Sequence, residues 1–535
     1  MTHGIITAPQ PEAVETGALV LQAGGNAVDA SISSALVQTV VDPMMCGIAG
    51  FGSLQLYLPD KNFHGFIDFH TTAPSSVSES MWENQISHEA RDGFGFILKN
   101  RANEVGYESI MTPGTLKGFY EAIKEYGTMP WDKIIQPAID FASEGFSVSP
   151  AIDEFWDRSA GHGRISMDEK LRLNQNARRI YLDENGNTYP IGTRIKNLDM
   201  LNTLEKIRDQ GIESFYSGEI ANKIVKDMKV HKGFLSLKDL EDYKTIRNEP
   251  LWGEYKDMKV ATNQPPGGGI MVIQMLNILN NFDLRSMGHN SPEYIATVSE
   301  AMKYATIDKD AKVGDPDYLD VPITQLTDPL YAREIADLIK NGVRADVIRY
   351  GDSKESEDTT HVAVMDELGN TASMTHSLGM PSGVVTNELG FMYNGCMSVF
   401  DPRSGRTGSI KPGKRRFTGM SPTIIFKDDK PHVVVGAPGG TYITMGVLQS
   451  ILNVVEFDMN MQEAVSAPRF TANSNAIDVT NRIPRFVTKE LENKGYEVIR
   501  NPFSYGFAGV HGIRIKNGIW DGGADPGRDG MVLYI

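Results

Sequence analysis

Two hydrophobic periods divide this chain, and the changes between them mark its elements. Thr7-Ala8 reads as the end of a short strand that Pro9 and Pro11 interrupt. From Pro11 to Gln22 the period is helical, with Val14, Ala18 and Leu21 on one face and proline tolerated in the first turn. Gly24-Gly25 stop that helix, and Asn26 suits the cap of the next, Ala27 to about Val40, with Val28, Ile32, Leu36 and Thr39 along one side. A glycine run, Gly47 to Gly52, leads into alternation over Ser53 to Leu58, a strand pattern, with Phe66 to Phe69 as its partner ending at His70. Helical spacing returns over Leu116 to Tyr126 and Trp131 to Glu144 and continues to about residue 230. Ser236 caps a further helix start, Pro265 to Gly269 introduce a helix over Ile270 to Leu279, and Ser291-Pro292 open a long one reaching Asp310.

The pattern changes abruptly after the polar run Tyr350 to Glu357. Asp358-Thr359-Thr360-His361-Val362-Ala363-Val364-Met365-Asp366 is a β-branched strand, followed by a turn at Glu367-Leu368-Gly369-Asn370 and a second strand, Thr371 to Ser377. If Met365 pairs with Thr371, then Ala363 faces Ser373, His361 faces Thr375, and Thr359 faces Ser377. A one-residue slip would turn every side chain to the other face. A loop-rich region, Gly379 to Pro412, follows. The basic run Lys411 to Arg416 has the form of a solvated loop. Ser421 to Phe426 and His432 to Val435 read as strands. The second enters Gly436-Ala437-Pro438-Gly439-Gly440-Thr441, from which a helix runs to about Val454, and the tail from Ile513 to Ile535 carries further strands.

Composition narrows the function classes. The chain has 535 residues and a net charge of -16, which argues against nucleic acid or an anionic membrane as partner. No stretch approaches the roughly 20 apolar residues of a membrane span. The first residues carry neither a basic nor a long apolar region, so no secretory signal is expected, and with only two cysteines, Cys46 and Cys396, the expected compartment is the cytoplasm. The histidines are scattered without metal-ligand spacing, so neither a metal nor a cofactor is expected. The glycines at 47–52 precede a strand and those at 267–269 lack the Lys-Ser/Thr of a phosphate loop, so close backbone packing is the reading for the first and phosphate binding is rejected for the second.

The candidate chemistry sits at Thr359. A threonine hydroxyl is a weak nucleophile without an adjacent base. If the chain breaks between Asp358 and Thr359, the new α-amine is that base, with a reference pKa of about 7.7–8.0. Ser377 could then donate to the Thr359 hydroxyl. Strand, Gly439-Gly440, helix start is a site for negative charge, hence an oxyanion hole in an acyl-transfer enzyme. The plain alternatives are ordinary β-propensity at Thr359-Thr360 and a tight turn at the glycines.

Taken in order, Ala23 to Ala30, Gly47 to Gly52, Asp68-Phe69 with Ala73-Pro74, Thr112 to Thr115, Tyr126 to Pro130, Pro265 to Gly269, Thr359-Thr360-His361, Gly369-Asn370, Met420 to Thr423, Pro438 to Gly440 and Ala524 to Pro526 resemble the gamma-glutamyltransferase (gamma-glutamyltranspeptidase) family. The resemblance implies an α+β fold, a four-layer αββα N-terminal-nucleophile hydrolase sandwich with a largely helical N-terminal portion. It implies self-cleavage before Thr359 into a large chain, 1–358, and a small chain, 359–535, with a homo-oligomer of these as a further option. It also implies Thr359 as nucleophile, Ser377 at a supporting threonine's position, and Gly439 and Gly440 as the oxyanion hole. The family's grip on the γ-glutamyl carboxylate and amine falls on different residue types here: His70 for an arginine, Gly379 for an asparagine, Cys396 and Val399 for a glutamine and an aspartate, and Thr418 and Gly419 for two serines. A histidine does not replace an arginine's bidentate hold on a carboxylate. The expected partner is a small-molecule amide: a γ-glutamyl compound such as glutathione by default, or another acyl amide such as oxamate. A non-catalytic, unprocessed relative is the rival of another class.

Overall fold

A computed structural model describes residues 4–91, 93, 95–157, 164–349, 359–502 and 507–535. The polar run Tyr350 to Glu357 and the cleavage residue Asp358 lie outside them. The elements that build the site, numbered in chain order, begin with strand β1 (Gly4–Ala8), helices α1 (Pro11–Gln22) and α2 (Ala27–Val41), and strands β2 (Phe51–Leu58) and β3 (Phe63–Phe69). Helices α3 (Thr115–Tyr126) and α4 (Trp131–Glu144) open a largely helical stretch. Strands β4 (Ile246–Asn248), β5 (Leu251–Tyr255) and β6 (Met258–Thr262) precede helices α5 (Gly269–Leu279) and α6 (Pro292–Lys312). The hairpin is β7 (Thr360–Asp366) and β8 (Thr371–Ser377), followed by β9 (Thr423–Lys427), β10 (Lys430–Gly436), α7 (Ile443–Phe457), α8 (Met461–Ser466), β11 (His511–Lys516), β12 (Ile519–Ala524) and β13 (Met531–Tyr534).

Two antiparallel sheets stack face to face. The first has the order β13-β1-β7-β8-β2-β3-β4 and the second β12-β11-β10-β9-β6-β5. Helices α1 and α2 cover the outer face of the first, and α5, α7 and α8 cover the second, giving the four-layer αββα sandwich. All seven residues of β7 are buried, and their alternation shows why. Val362 and Val364 point into the core shared with Val28, Ile32 and Leu36 of α2. Ala363 and Met365 point the other way, into the layer between the sheets with Ile424, Val434 and Ile513. A strand buried on both faces loses simple polar alternation.

The hairpin register is the one read from the sequence: Met365 pairs with Thr371, Ala363 with Ser373, and His361 with Thr375. The Asn26 side chain accepts from the Val28 and Asp29 amides, and Asp29 returns a bond to the Asn26 amide, a closed capping box. Three expectations change. Strands β4 to β6 stand between the Ser236 helix start and the Pro265 to Gly269 loop, where each is too short to show a clear period. The helix after Gly440 begins at Ile443, since Gly440 to Tyr442 form a 3₁₀ turn. The basic run is not a solvated loop: Lys414, Arg415 and Arg416 are buried. Asp315 accepts from the Arg415 amide at 2.8 Å and from its guanidinium, and Asp317 takes a second guanidinium nitrogen at 2.7 Å, so tertiary partners hold charges that sequence would leave in water.

Candidate active site

Thr359 sits one residue before β7, buried, at the end of the layer between the sheets. Continuing the hairpin register places it opposite Ser377, on the same strand face as His361 and Thr375. That face changes character along its length. It is apolar at Met365 and Ala363 and polar at His361, whose Nδ1 lies 2.8 Å from the Thr375 hydroxyl. The Gly379 amide donates to Ser377 Oγ at 2.7 Å, which leaves the serine proton to be given elsewhere.

The residue after Thr359 is fixed from the helical side. Gln38 of α2 donates to the Thr360 hydroxyl at 3.1 Å and to Gln10 Oε1 at 2.7 Å, and His376 Nε2 donates to Gln38 Oε1 at 2.8 Å. Gln10 in turn donates to Asp42 at 2.6 Å. Burial pushes the Asp42 carboxyl up to about 6, against the opposing bond from Gln10. Burial disfavours the charged form of the nearby histidines, lowering His376 and His511 to about 3 and His361 well below its ordinary value. A chain of hydrogen-bonded side chains, from Asp42 through Gln10 and Gln38 to Thr360, holds the backbone at 359–360.

The second sheet brings up the glycines. A methyl on Gly436, at the end of β10, would run into the His361 ring, so the two strands touch just before the Gly439-Gly440 turn. Gly439 adopts φ 134° and Gly440 φ 55°, conformations only glycine enters easily. Tyr442 donates back to the Gly439 carbonyl at 2.9 Å, and among the described residues neither the Gly439 nor the Gly440 amide is given to an acceptor. Thr359 and Pro438 line one cavity of about 580 Å³, together with Met45, Asp42, Phe155 and Arg528.

Behind the glycine turn lies a stack of bare α-carbons. A methyl on Gly419 would collide with the Gly440 carbonyl, and one on Gly268 would stand 2.6 Å from the Gly419 carbonyl oxygen. The Gly268 amide donates to the Met420 carbonyl at 2.8 Å and the Thr418 amide to the Pro266 carbonyl at 2.9 Å. Close backbone packing is therefore what the Pro265 to Gly269 loop does, and Gly50 plays the same part against the Ser377 carbonyl.

The expected substrate residues fall into two groups. His70, Gly379 and Cys396 meet around Phe51. His70 packs edge-on to that ring, with centroids 6.1 Å apart, and a Cβ on Gly379 would lie 2.7 Å from Cys396 Sγ and 3.3 Å from Phe51. Burial, with Arg415 and Arg416 nearby, lowers His70 to about 3, and neither ring nitrogen has a hydrogen-bond partner among the described residues. Burial pushes the Cys396 thiol up. Gly419, with Thr418 before it, lies beside the Gly439-Gly440 turn. Val399 ends a 3₁₀ turn begun by Cys396 and packs against Gly95. None of these six lines the cavity that Thr359 opens on. Arg416, the last residue of the basic run, packs on the Phe51 ring. Its guanidinium lies 4.5 Å from the Phe51 ring centre and donates to the Phe417 carbonyl at 2.9 Å. Its sequence signal is a basic run joined without a break to Phe417-Thr418-Gly419-Met420.

The gamma-glutamyltranspeptidase family profile matches residues 13–535. The acylase ACY 1 proenzyme of Pseudomonas sp. (strain SE83) is 33% identical over 541 residues, 100% of this chain and 94% of the relative. The glutathione hydrolase proenzyme of Bacillus subtilis (strain 168) is 31% identical, covering 99% of this chain and 91% of the relative. The crystal structure of cephalosporin acylase from Bacillus halodurans superposes with a TM-score of 0.86 at 25% identity over 99% of this chain and 96% of that one. Sandwich and matches together define an enzyme of the N-terminal-nucleophile hydrolase class. Within that class, the chain belongs to the gamma-glutamyltranspeptidase family.

Proposed function

We propose that the chain cuts itself between Asp358 and Thr359 and then cleaves amides through an acyl-threonine intermediate. The Thr359 hydroxyl attacks the amide carbonyl, and its own α-amine takes the proton and passes it to the leaving amine. The Gly439 and Gly440 amides take the developing oxyanion, and Ser377 orients the attacking hydroxyl. Water or an amine acceptor then releases the acyl group. The observation that carries this reading is the meeting of Thr359 with Pro438, the residue before the glycine pair, across one cavity at the junction of the two sheets. Proenzyme relatives matched over nine-tenths or more of their length support the processing step.

The acyl group is the open part. A γ-glutamyl amide is the default from the glutathione hydrolase relative, and the acylase relatives stand for the alternative. His70, Gly379 and Cys396 favour the alternative, since none offers an ion to a glutamyl head. Denaturing electrophoresis tests the core of the proposal. The natural chain should resolve into pieces of 358 and 177 residues (535 minus 358), and Thr359→Ala should remain one band and release nothing from any anilide. A single unprocessed band from fresh and aged natural protein, or turnover by the alanine variant, would overturn it.

A further inference from the structure

The cavity that Thr359 opens on has a wall that the amidase reading does not use. Asp42 closes helix α2 and lines this cavity together with Thr359 and Pro438. One of its carboxylate oxygens, Oδ2, accepts from Gln10 at 2.6 Å. The other has no hydrogen-bond partner among the described residues. Only the Gln10 amide stands between this carboxylate and the Thr360 hydroxyl, which donates to Gln10 Oε1 at 3.2 Å. Gln10 thus fixes Asp42 by one oxygen and leaves the second to accept from a ligand. Glu12, in the first turn of α1, and Asp529 line the same cavity, as does Arg528, which donates to the Phe507 carbonyl at 3.4 Å. Three carboxylates and one guanidinium in the lining leave it negative. Burial raises Asp42 to about 6, with Gln10 and Arg528 opposing and Glu12 and Asp529 adding. Burial, helped by Glu15 and Asp529, raises Glu12 as well. Carboxylates desolvated beside one another gain from a cation placed among them.

We propose that Asp42 binds a positive charge on the amine half of the substrate, so that the preferred amides are those of diamines or of other amines with a cationic tail. The inference rests on the amidase reading above. With the scissile carbonyl at Thr359, the substrate fills the cavity adjoining that residue. The six positions expected around the acyl group stay out of this cavity, which leaves it to the amine half. Its volume of about 580 Å³ lies within the range of small-molecule sites and takes a short alkyl amine. The second Asp42 oxygen then accepts from the ammonium. Asp42 is half-buried, so this charge-assisted bond is stronger than one formed in open water.

Three amides of one acyl group and near-equal amine length separate the possibilities. They are the putrescine amide, with a cationic tail, the pentyl amide, with an uncharged one, and the δ-aminovalerate amide, with an anionic one. The acyl group is whichever of glutaryl, γ-glutamyl and pentanoyl the processed natural enzyme releases fastest from its anilide. That enzyme should favour the putrescine over the pentyl amide by about tenfold or more in kcat/KM, the worth of one charge-assisted bond, and should use the δ-aminovalerate amide least. Asp42→Asn keeps an oxygen for the Gln10 bond and loses the charge. It should reduce the putrescine-to-pentyl ratio by about tenfold or more, chiefly through KM. The natural ratio should also shrink as the pH falls from about 7 to about 5, because a carboxyl near 6 takes up a proton there and stops attracting a cation. A natural enzyme indifferent to the charge of the amine, one that prefers the anionic tail, or an Asp42→Asn enzyme with an undiminished ratio overturns the inference while leaving the amidase standing. Release from none of the three anilides by processed protein removes the amidase reading itself. Should Asp42→Asn fail to process, the natural ratio and its pH dependence decide.

Discussion

Gly268→Ala tests whether the bare backbone stack positions the Gly439-Gly440 turn, the proposed oxyanion hole. Gly268 has an ordinary negative φ of -77°, so alanine brings no backbone strain of its own. Its methyl would stand 2.6 Å from the Gly419 carbonyl oxygen and 2.6 Å from Thr444 Cγ2, where ordinary contact begins at 3.4 Å. Something must retreat by about 0.8 Å (3.4 minus 2.6). Thr444 is buried in α7, and Gly419 already lies against the Gly440 carbonyl, so the push reaches the turn from both neighbours. Misplacing a reacting group by about 1 Å costs on the order of 100-fold, so kcat should fall about 10- to 100-fold. Overpacking should also cost about 1–3 kcal/mol of stability. The assay is kcat on the processed fraction, with thermal unfolding in parallel. Gly408→Ala is the control, since its methyl would meet nothing nearer than the Asp401 Cβ at 3.5 Å. A Gly268→Ala enzyme with lowered stability and natural kcat would show that the turn does not depend on this stack, and the reasoning would fail.

Asp315→Ala should cost about 3–5 kcal/mol in denaturant unfolding, because it strands the buried Arg415 guanidinium; Asp317, largely exposed, cannot replace it. A loss below about 1 kcal/mol would show that the pair is solvated. Stability should also fall as pH drops below about 6.5. His70, His376 and His511 sit at about 3 in the fold because burial disfavours their charge, so the unfolded chain binds protons that the native one refuses. Each histidine contributes about 1.4 kcal/mol per pH unit in that window, or about 2 kcal/mol at pH 5. Asp42, raised to about 6, works in the opposite direction and offsets part of it. A melting temperature flat from pH 7 to pH 5 would contradict the neutral histidine layer.

Local pattern alone was enough for the helices and the hairpin. Asn26 capping α2, Ser291 capping α6, and the pairing of Met365 with Thr371 follow from short-range geometry and from a turn of fixed length. Strand β7, which follows the proposed nucleophile, was legible for the same reason: a β-branched run starting at a polar junction has few alternative structures. Strands β4 to β6 were not, since runs this short show no clear period. Charge was the least legible property. Lys414, Arg415 and Arg416 look solvated in the chain and are buried in the fold, because Asp315 stands about a hundred positions away in sequence and within hydrogen-bond reach in space. The substitution of His70 and Gly379 reads, along the chain, as the loss of a grip on a carboxylate. Only the packing of Phe51, Gly379 and Cys396 around Arg416 shows where a positive charge remains, because no local rule tells a chain which distant loop fills the space a missing side chain leaves.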